Sequence, residues 1–290
     1  MKINVIGKRK IWYAVSVVIL LAGMVSMLVQ GLNLGIDFVG GNKISVLFEQ
    51  QVEIADLRTA LNENGLEGSK IQELDNGAYM LKTSEMDQAK QDSVMADLTG
   101  RFGELEIVES NLVGPSVGAE LKKNAVIALG LAVILMIAYI SYRFELHFAI
   151  AGVIALFHDI FIVVAIFSIL QLEVDSTFIA ALLTIFGYSI NDKIVVFDRI
   201  RENMGRVKKD QLSGIVDLSI AQSFTRSMNT SISTLILLLA MLFFGGETTR
   251  IFVLAMSLGV IVGTYSSLCI ASPIWYEIKM HIKGNRIETK

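Results

Sequence analysis

Long apolar stretches with few charged residues alternate with polar segments along the chain. A transmembrane helix needs about 20 predominantly apolar residues. The stretches that we predict to span a membrane are Ile11–Val29, Asn124–Tyr142, Phe148–Leu172, Ser176–Phe197, Ser223–Phe244 and Ile251–Tyr276. The first follows the basic segment "MKINVIGKRK", and its 19 uncharged residues exceed the apolar region of a cleaved signal peptide. We therefore expect this span to be retained.

Basic residues in the short segments between spans set the predicted orientation. Lys and Arg are concentrated in both terminal tails and in the segment 199–209, which follows the fourth span. Cytoplasmic loops carry such an excess, so both termini are predicted to be cytoplasmic. The chain then divides into residues 1–30 (tail and first span), 31–123 (an extracytoplasmic domain), 124–276 (five spans) and 277–290 (a cytoplasmic tail).

The polar region 31–123 has the pattern of a small α+β domain. The dipeptide Asn76-Gly77 between two strand-like runs is a strong hairpin signal, and "VEIADLRTALNENGL" has helical spacing of its apolar residues. The predicted order is βαββαβ, the ferredoxin-like arrangement. With 16 acidic and 8 basic residues the region has a net charge of −8, and it contains no cysteine. The predicted fold is a membrane α-helical bundle of six transmembrane helices with this α+β domain inserted.

Composition excludes several classes of function. Hydrophobic residues make up 53% of the 290 residues and charged residues 18%, which is typical of a membrane protein rather than a soluble enzyme. We expect no nucleic-acid partner, because there is no basic patch with interleaved aromatic residues. The single Cys269 and the scattered histidines form no metal-binding or catalytic motif. We therefore expect neither an enzyme nor a cofactor or metal.

Polar residues inside the fourth span are the first candidates for function. Thr184, Tyr188, Asn191 and Asp192 lie at i, i+4, i+7 and i+8, which places them along one side of a helix. A charged aspartate at the centre of a spanning helix costs about 2.5–3.5 kcal/mol on insertion scales, so it is rare without a reason. From this pattern alone, Asp192 is either a working carboxylate or an interfacial one that reaches solvent.

The fifth span carries a similar polar stripe, which begins at Arg226 and includes Thr230. Because Arg226 and Asp192 enter from the same side of the membrane, we predict that they pair, which would offset the free energy of burying each charge. Protonation of Asp192 would then release Arg226. The alternative is that Arg226 extends to the lipid headgroups.

Two further spans contain notable residues. His158 and Asp159 lie near the middle of the third span, where a buried structural hydrogen bond is the alternative to a functional role. In the sixth span, Gly259 and Gly263 have the spacing of a close helix–helix contact.

Glycine-rich stretches flank the polar domain and are predicted to act as hinges between it and the membrane. Neither stretch has the glycine spacing of a phosphate-binding loop. The predicted hinge residues are Gly35, Asp37, Gly40, Gly41, Gly114, Pro115 and Gly118.

Several stretches together resemble one family. They are "GIDFVGG" at 35–41, "VGPSVGAEL" at 113–121, His158-Asp159, "GYSINDKIVVFDRIREN" at 187–203, and the Arg226 region ending in "FFGG" at 243–246. With the layout of one span, a domain and five spans, they identify the chain as similar to SecF proteins, membrane components of the bacterial Sec protein-export system. That family has half of the resistance-nodulation-division transporter architecture.

The resemblance implies a function and a set of partners. A SecF protein in the bacterial cytoplasmic (inner) membrane pairs with SecD to give a twelve-helix assembly, associates with the SecYEG channel, and acts on a translocating unfolded polypeptide. It uses the proton-motive force to promote export on the outer side. The resemblance also implies that Asp192 and Arg226 relay the ion, with Asp159 as a further candidate. Tyr188, Asn191 and Thr230 of the two polar stripes are the predicted supporting residues.

One residue departs from the family pattern, and two other functions stay open. Lys193 stands where relatives more often have a small hydroxyl residue; it either extends to the cytoplasm or neutralises Asp192, which leaves sodium conceivable as the coupling ion. A passive scaffold of the translocon and half of a small-molecule efflux pump are the alternative functions.

Overall fold

The structure is a computed structural model that describes residues 4–74, 76–143, 145–205 and 212–288. Six helical segments are long and apolar enough to cross a membrane, as predicted. The first five are α1 (Arg9–Val29), α5 (Pro115–Arg143), α6 (Leu146–Ile169), α7 (Ser176–Met204) and α8 (Leu212–Phe244). The sixth is continuous but irregular: α9 (Glu247–Ser266), a π-helical segment (Ser267–Ala271) and α10 (Ser272–Glu288).

The bundle has an inner and an outer layer. α6, α7 and the sixth span bury much of their surface against one another, whereas α1, α5 and α8 expose most of theirs. Small residues allow the inner helices to approach closely. A Cβ atom at Gly259 would clash with the Ile185 side chain, and one at Gly263 would lie 3.2 Å from Ser189 Oγ. The predicted packing seam of the sixth span is therefore a contact with α7.

The α+β domain has the predicted βαββαβ order. Its strands are β2 (Gly41–Phe48), β3 (Lys70–Glu73), β4 (Tyr79–Thr83) and β5 (Leu105–Val113). They form one antiparallel sheet in the order β3-β4-β2-β5, the ferredoxin-like topology. The two helices α3 (Ile54–Glu63) and α4 (Gln88–Phe102) contribute buried side chains such as Leu57 and Val94 to the same core as Ile44 and Leu81 of the sheet.

Local sequence signals account for the boundaries in this domain. Asp87 caps α4, because its side chain accepts a hydrogen bond of 2.7 Å from the Lys90 amide. Gly103 ends the same helix with φ of 93°, a conformation that glycine adopts readily. Gly77 takes φ of 78° in the predicted hairpin between β3 and β4.

Short elements that the sequence did not predict join this domain to the bundle. β1 (Asn33–Leu34) follows α1 and pairs in parallel with β6 (Glu173–Val174), the connection between α6 and α7. The four-residue helix α2 (Ile36–Val39) lies between β1 and β2. We call the end of the bundle that carries these elements the domain end, and the opposite end the far end.

Several spans begin or end in polar sequence rather than at the predicted limits. α5 begins at Pro115 instead of Asn124, α7 continues past Phe197 to Met204, and α8 begins at Leu212 instead of Ser223. Hydropathy marks only the part of a helix that suits hydrocarbon, and a helix continues beyond that part where its polar residues are solvated.

Candidate functional site

The polar side chains of α7 point to two different sides of the helix. Consecutive residues in an α-helix are about 100° apart, so Asp192 and Lys193 diverge although they are neighbours in sequence. Tyr188 and Asp192 face α8 and the sixth span. Ser189 and Lys193 face α6. One helix thus contributes to two separate polar clusters inside the bundle.

The first cluster is centred on Asp159 of α6, which is fully buried. Lys193 Nζ lies 2.6 Å from Asp159 Oδ2, and the Ser189 hydroxyl donates to the same oxygen. His158 Nδ1 lies 2.9 Å from the other carboxylate oxygen, and its Nε2 lies 2.8 Å from Ser16 Oγ of α1. The carboxylate of Asp159 is therefore matched by a buried cation and held by two further side chains.

The Asp159 cluster corrects both expectations for Lys193. Its side chain has no exposed surface, so it does not extend to the cytoplasm. It pairs with Asp159 rather than with Asp192. The signal in the sequence was the i, i+4 spacing of Ser189 and Lys193, which places both on the side of α7 that faces the predicted His158-Asp159 pair.

The second cluster surrounds Asp192, which is partly buried. Ser227 of α8 donates to Asp192 Oδ1 at 2.6 Å, and Ser267 of the sixth span donates to Oδ2. Ser267 is the first residue of the π-helical segment, and π-helical irregularities in α-helices are frequent at functional sites. Among the residues that the structure describes, the hydrogen-bond donors to this carboxylate are neutral hydroxyls.

A layer of hydroxyl groups continues from Asp192 toward the domain end. The predicted supporting residue Tyr188 donates to Ser231 Oγ at 3.2 Å, and Ser231 is hydrogen-bonded at 2.5 Å to Thr264 of the sixth span. These groups link α7, α8 and the sixth span on the same side as Asp192.

The predicted ion pair between Asp192 and Arg226 is wrong in this structure. Ser227, the next residue of α8, faces the Asp192 carboxylate, and Arg226 is exposed on the outside of the helix. Serines at 223, 227 and 231 form the buried side of α8. The prediction rested on the charged and amide groups of the neighbouring stripe, which begins at Arg226. Small residues, however, mark the contact side of a membrane helix.

The stripe that begins at Arg226 is exposed along the side of the bundle. Thr230 and Asn191 are exposed as well. Arg226 and Asn191 line a cavity of about 550 Å³ toward the far end, together with polar side chains such as Gln222. The structure therefore does not bring Asn191, Arg226 and Thr230 to the Asp192 carboxylate.

At the domain end, the predicted hinge segment contacts the start of α7 directly. Asp37 Oδ2 accepts a 2.9 Å hydrogen bond from the Ser176 amide, the first residue of α7. The Gly35 amide donates to Val174 O at 2.8 Å, and Lys82 of β4 forms a 2.9 Å ion pair with Glu173. These bonds connect the α+β domain to the helix that carries Asp192.

The predicted hinge glycines differ in their surroundings. Three are closely packed: a Cβ at Gly41 would clash with Thr83 O, one at Gly35 would lie 2.8 Å from Glu173 Oε1, and one at Gly118 would lie 3.1 Å from Phe38 O. Gly40 takes φ of 89°. Gly114 is less crowded, since a Cβ there would lie 4.0 Å from Ser116 Oγ, and it precedes Pro115, where α5 begins.

Comparison with known proteins matches nearly the whole chain. The family described as "Protein export membrane protein SecD/SecF, C-terminal" covers residues 93–281, and the "SecD/SecF GG Motif" covers residues 25–52. The chain is 38% identical to "Protein translocase subunit SecF" of Sebaldella termitidis over 99% of this chain and 96% of the relative. It is 40% identical to the subunit of the same name from Acidaminococcus fermentans, over 97% and 99%.

A solved structure and a longer relative extend the comparison. The crystal structure of SecDF from Thermus thermophilus has a TM-score of 0.86 and 34% identity, and the match covers 96% of this chain and 39% of that one. "Protein translocase subunit SecDF" of Bacillus subtilis is 39% identical over 93% of this chain and 37% of its own length. This chain is thus similar to part of these two longer polypeptides.

Proposed function

This chain belongs to the SecD/SecF family of protein export membrane proteins, and we propose that it is a SecF-type subunit of the Sec protein translocation machinery that uses the proton-motive force. In this proposal it acts with a SecD-type partner beside the SecYEG channel in the cytoplasmic membrane. Its termini lie in the cytoplasm, and its α+β domain lies on the outer side, where exported polypeptides emerge. Its work is mechanical rather than enzymatic.

Exposed polar side chains of α7 and α8 support a partner subunit. Arg226, Thr230 and Asn191 are exposed on the side of the bundle, within or near its apolar spans. An arginine that faces hydrocarbon is unfavourable, and charged residues in spans face other protein or water-filled cavities. A SecD-type subunit that covers these side chains would shield them from lipid and supply acceptors for the Arg226 guanidinium.

The observation that carries the ion-coupling proposal is the Asp192 carboxylate with its hydroxyl donors. Ser227 and Ser267 stabilise the ionised form by hydrogen bonds, and neither brings a positive charge. A proton that binds Asp192 therefore neutralises the cluster and leaves no buried cation without a counter-charge. One elementary charge that crosses 100 mV releases about 2.3 kcal/mol, which is enough to bias a conformational equilibrium.

The contacts at the start of α7 give a route from the ion site to the domain. Protonation of Asp192 would change its bonds to α8 and the sixth span, so α7 would shift relative to them. Asp37 binds the first residue of α7, and Lys82 of the domain pairs with Glu173 of β6, which directly precedes α7. The domain would therefore move with α7, and deprotonation to the cytoplasm would reset both.

The test is protein export into membrane vesicles that contain Asp192→Asn. We expect export to lose its response to an imposed proton gradient while ATP-driven export and complex assembly persist. Asp198→Asn, which changes another α7 carboxylate outside both clusters, is the matched control and should respond normally. If Asp192→Asn vesicles still respond fully to the gradient, the protein is a passive scaffold and the proposal fails.

A further inference from the structure

Lys193 is fully buried between α6 and α7, with its ammonium directed away from Asp192. Its Nζ is bonded to Asp159 Oδ2 at 2.6 Å and to the Ser189 hydroxyl. A buried ammonium is unfavourable unless it is paired. The pair with Asp159 is thus what allows a lysine to occupy the interior of the bundle.

We propose that Lys193 is a positioning residue: an internal cation that keeps Asp159 ionised and leaves Asp192 as the carboxylate that exchanges protons. The inference rests on the proposed function only in treating proton exchange as the task of the bundle. It adds a division of roles between two carboxylates of neighbouring helices.

The groups around Asp159 all favour its ionised form. Lys193 and Ser189 donate from α7, and His158 of α6 contacts the second oxygen. α1 and the sixth span reach the cluster through neutral hydroxyls, those of Ser16 and Tyr265.

Apart from Asp192, the other described charged side chains of the helices packed on α6 lie toward the helix ends. Arg9 pairs with Glu277, and Lys279 pairs with Glu145. These pairs are partly exposed at the end of the bundle, so salt and solvent screen them from the interior. Lys193 is therefore the cation that determines the charge state of Asp159.

The two carboxylates would respond in opposite ways to a proton. A proton on Asp159 would leave the Lys193 ammonium buried without a counter-charge, which is strongly unfavourable. A proton on Asp192 would leave only neutral groups, because its donors are Ser227 and Ser267. A proton that enters the bundle is therefore directed to Asp192.

The test is infrared difference spectroscopy of the full-length protein with its SecD-type partner in liposomes, titrated with acid. The carbonyl stretch of a protonated carboxylic acid in the membrane interior reports each acid that titrates. We expect a wild-type band that Asp192→Asn abolishes. In Lys193→Met we expect a second band of the same area, which is lost again in Lys193→Met/Asp159→Asn.

Two further variants keep the inference falsifiable if Lys193→Met does not fold. Lys193→Arg retains a cation and should give the wild-type spectrum, and Lys193→Gln/Asp159→Asn removes both charges and should retain the Asp192 band. The inference is overturned if removal of Lys193 adds no band, or if the wild-type band is lost with Asp159→Asn rather than Asp192→Asn. Because this readout measures proton binding alone, it is independent of whether proton binding drives export.

Discussion

Asp159 and Asp192 are carboxylates on adjacent helices of the same bundle, and they are stabilised in different ways. Asp159 is fully buried and paired with a buried ammonium. Asp192 is partly buried and accepts hydrogen bonds from serine hydroxyls. We infer that the counter-group, more than the carboxylate, decides whether a buried acid is structural or exchanges protons. A cation fixes the charge, whereas hydroxyls can bond to either protonation state.

The largest loss of stability is expected when the buried Lys193 ammonium loses its counter-charge. Asp159→Asn should destabilise the protein by about 3–5 kcal/mol, because it leaves the buried Lys193 ammonium without a counter-charge. The measurement is the thermal unfolding of the purified protein in detergent. Asp159→Asn/Lys193→Met is the control and should recover most of the loss. A single variant as stable as the wild type would show that the pair does not matter.

Removal of a hydroxyl that bonds Asp192 should cause a smaller loss of stability. Ser227→Ala removes a hydrogen bond to the Asp192 carboxylate and should destabilise by about 1.5–3 kcal/mol, the usual range for bonds to charged groups. Ser223, one turn earlier on the same buried side of α8, has a hydroxyl with no hydrogen-bond partner among the residues that the structure describes. Ser223→Ala should therefore stay within about 0.5 kcal/mol of the wild type in the same unfolding assay. Equal losses in the two variants would contradict the role of Ser227.

A third carboxylate, Asp37, is held by a backbone amide at the start of α7. Asp37→Ala should destabilise by about 0.5–2 kcal/mol, because it removes a carboxylate that bonds the first amide of α7 in the way that a helix cap does. It should also weaken gradient-dependent export while the Asp192 infrared band persists, because proton binding and domain movement would be uncoupled. Asp56→Ala, in the first turn of α3, is the control. Loss of the infrared band in Asp37→Ala would contradict this separation.

The smallest effect is expected where a carboxylate–cation pair lies in water. Hydrogen bonds from Asn64 and Arg101 lower the pKa of Asp97 in the α+β domain below its usual value. A lowered pKa in the folded state gives stability that is present above the unfolded pKa, about 3.9 for Asp, and lost as the pH falls through the folded pKa.

Arg101→Ala should therefore lower stability slightly at neutral pH, and the difference from the wild type should disappear as the pH falls below the folded pKa of Asp97. Denaturant unfolding followed by circular dichroism at neutral and at acidic pH measures this difference, with Arg58→Ala as the control. A difference that grows toward acidic pH would contradict the assigned cause. Exposed ion pairs such as Asp97–Arg101 contribute little to stability, whereas a buried pair such as Asp159–Lys193 is costly to break.

The fold was largely predictable from the sequence, whereas the pairing of charged residues was not. Hydropathy identifies the spans, and turn residues such as Gly77 and Gly103 mark the ends of elements, because these signals are local. The partner of Asp192 depends on the rotation of α8 about its axis, and a single step around that helix separates Arg226 from Ser227. The two-residue strands β1 and β6 carry too little pattern to be predicted, since their pairing is a tertiary contact.

The central claim, that protonation of Asp192 moves the α+β domain, can be tested by a distance measurement. Spin labels at Asp92→Cys on α4 and Phe244→Cys at the domain end of α8, in a Cys269→Ser background, report the distance between domain and bundle by pulsed electron resonance. We predict that this distance changes between neutral and acidic pH in the wild type and in Asp198→Asn, but stays constant in Asp192→Asn. The same pH-dependent change in Asp192→Asn would show that protonation of Asp192 does not move the domain.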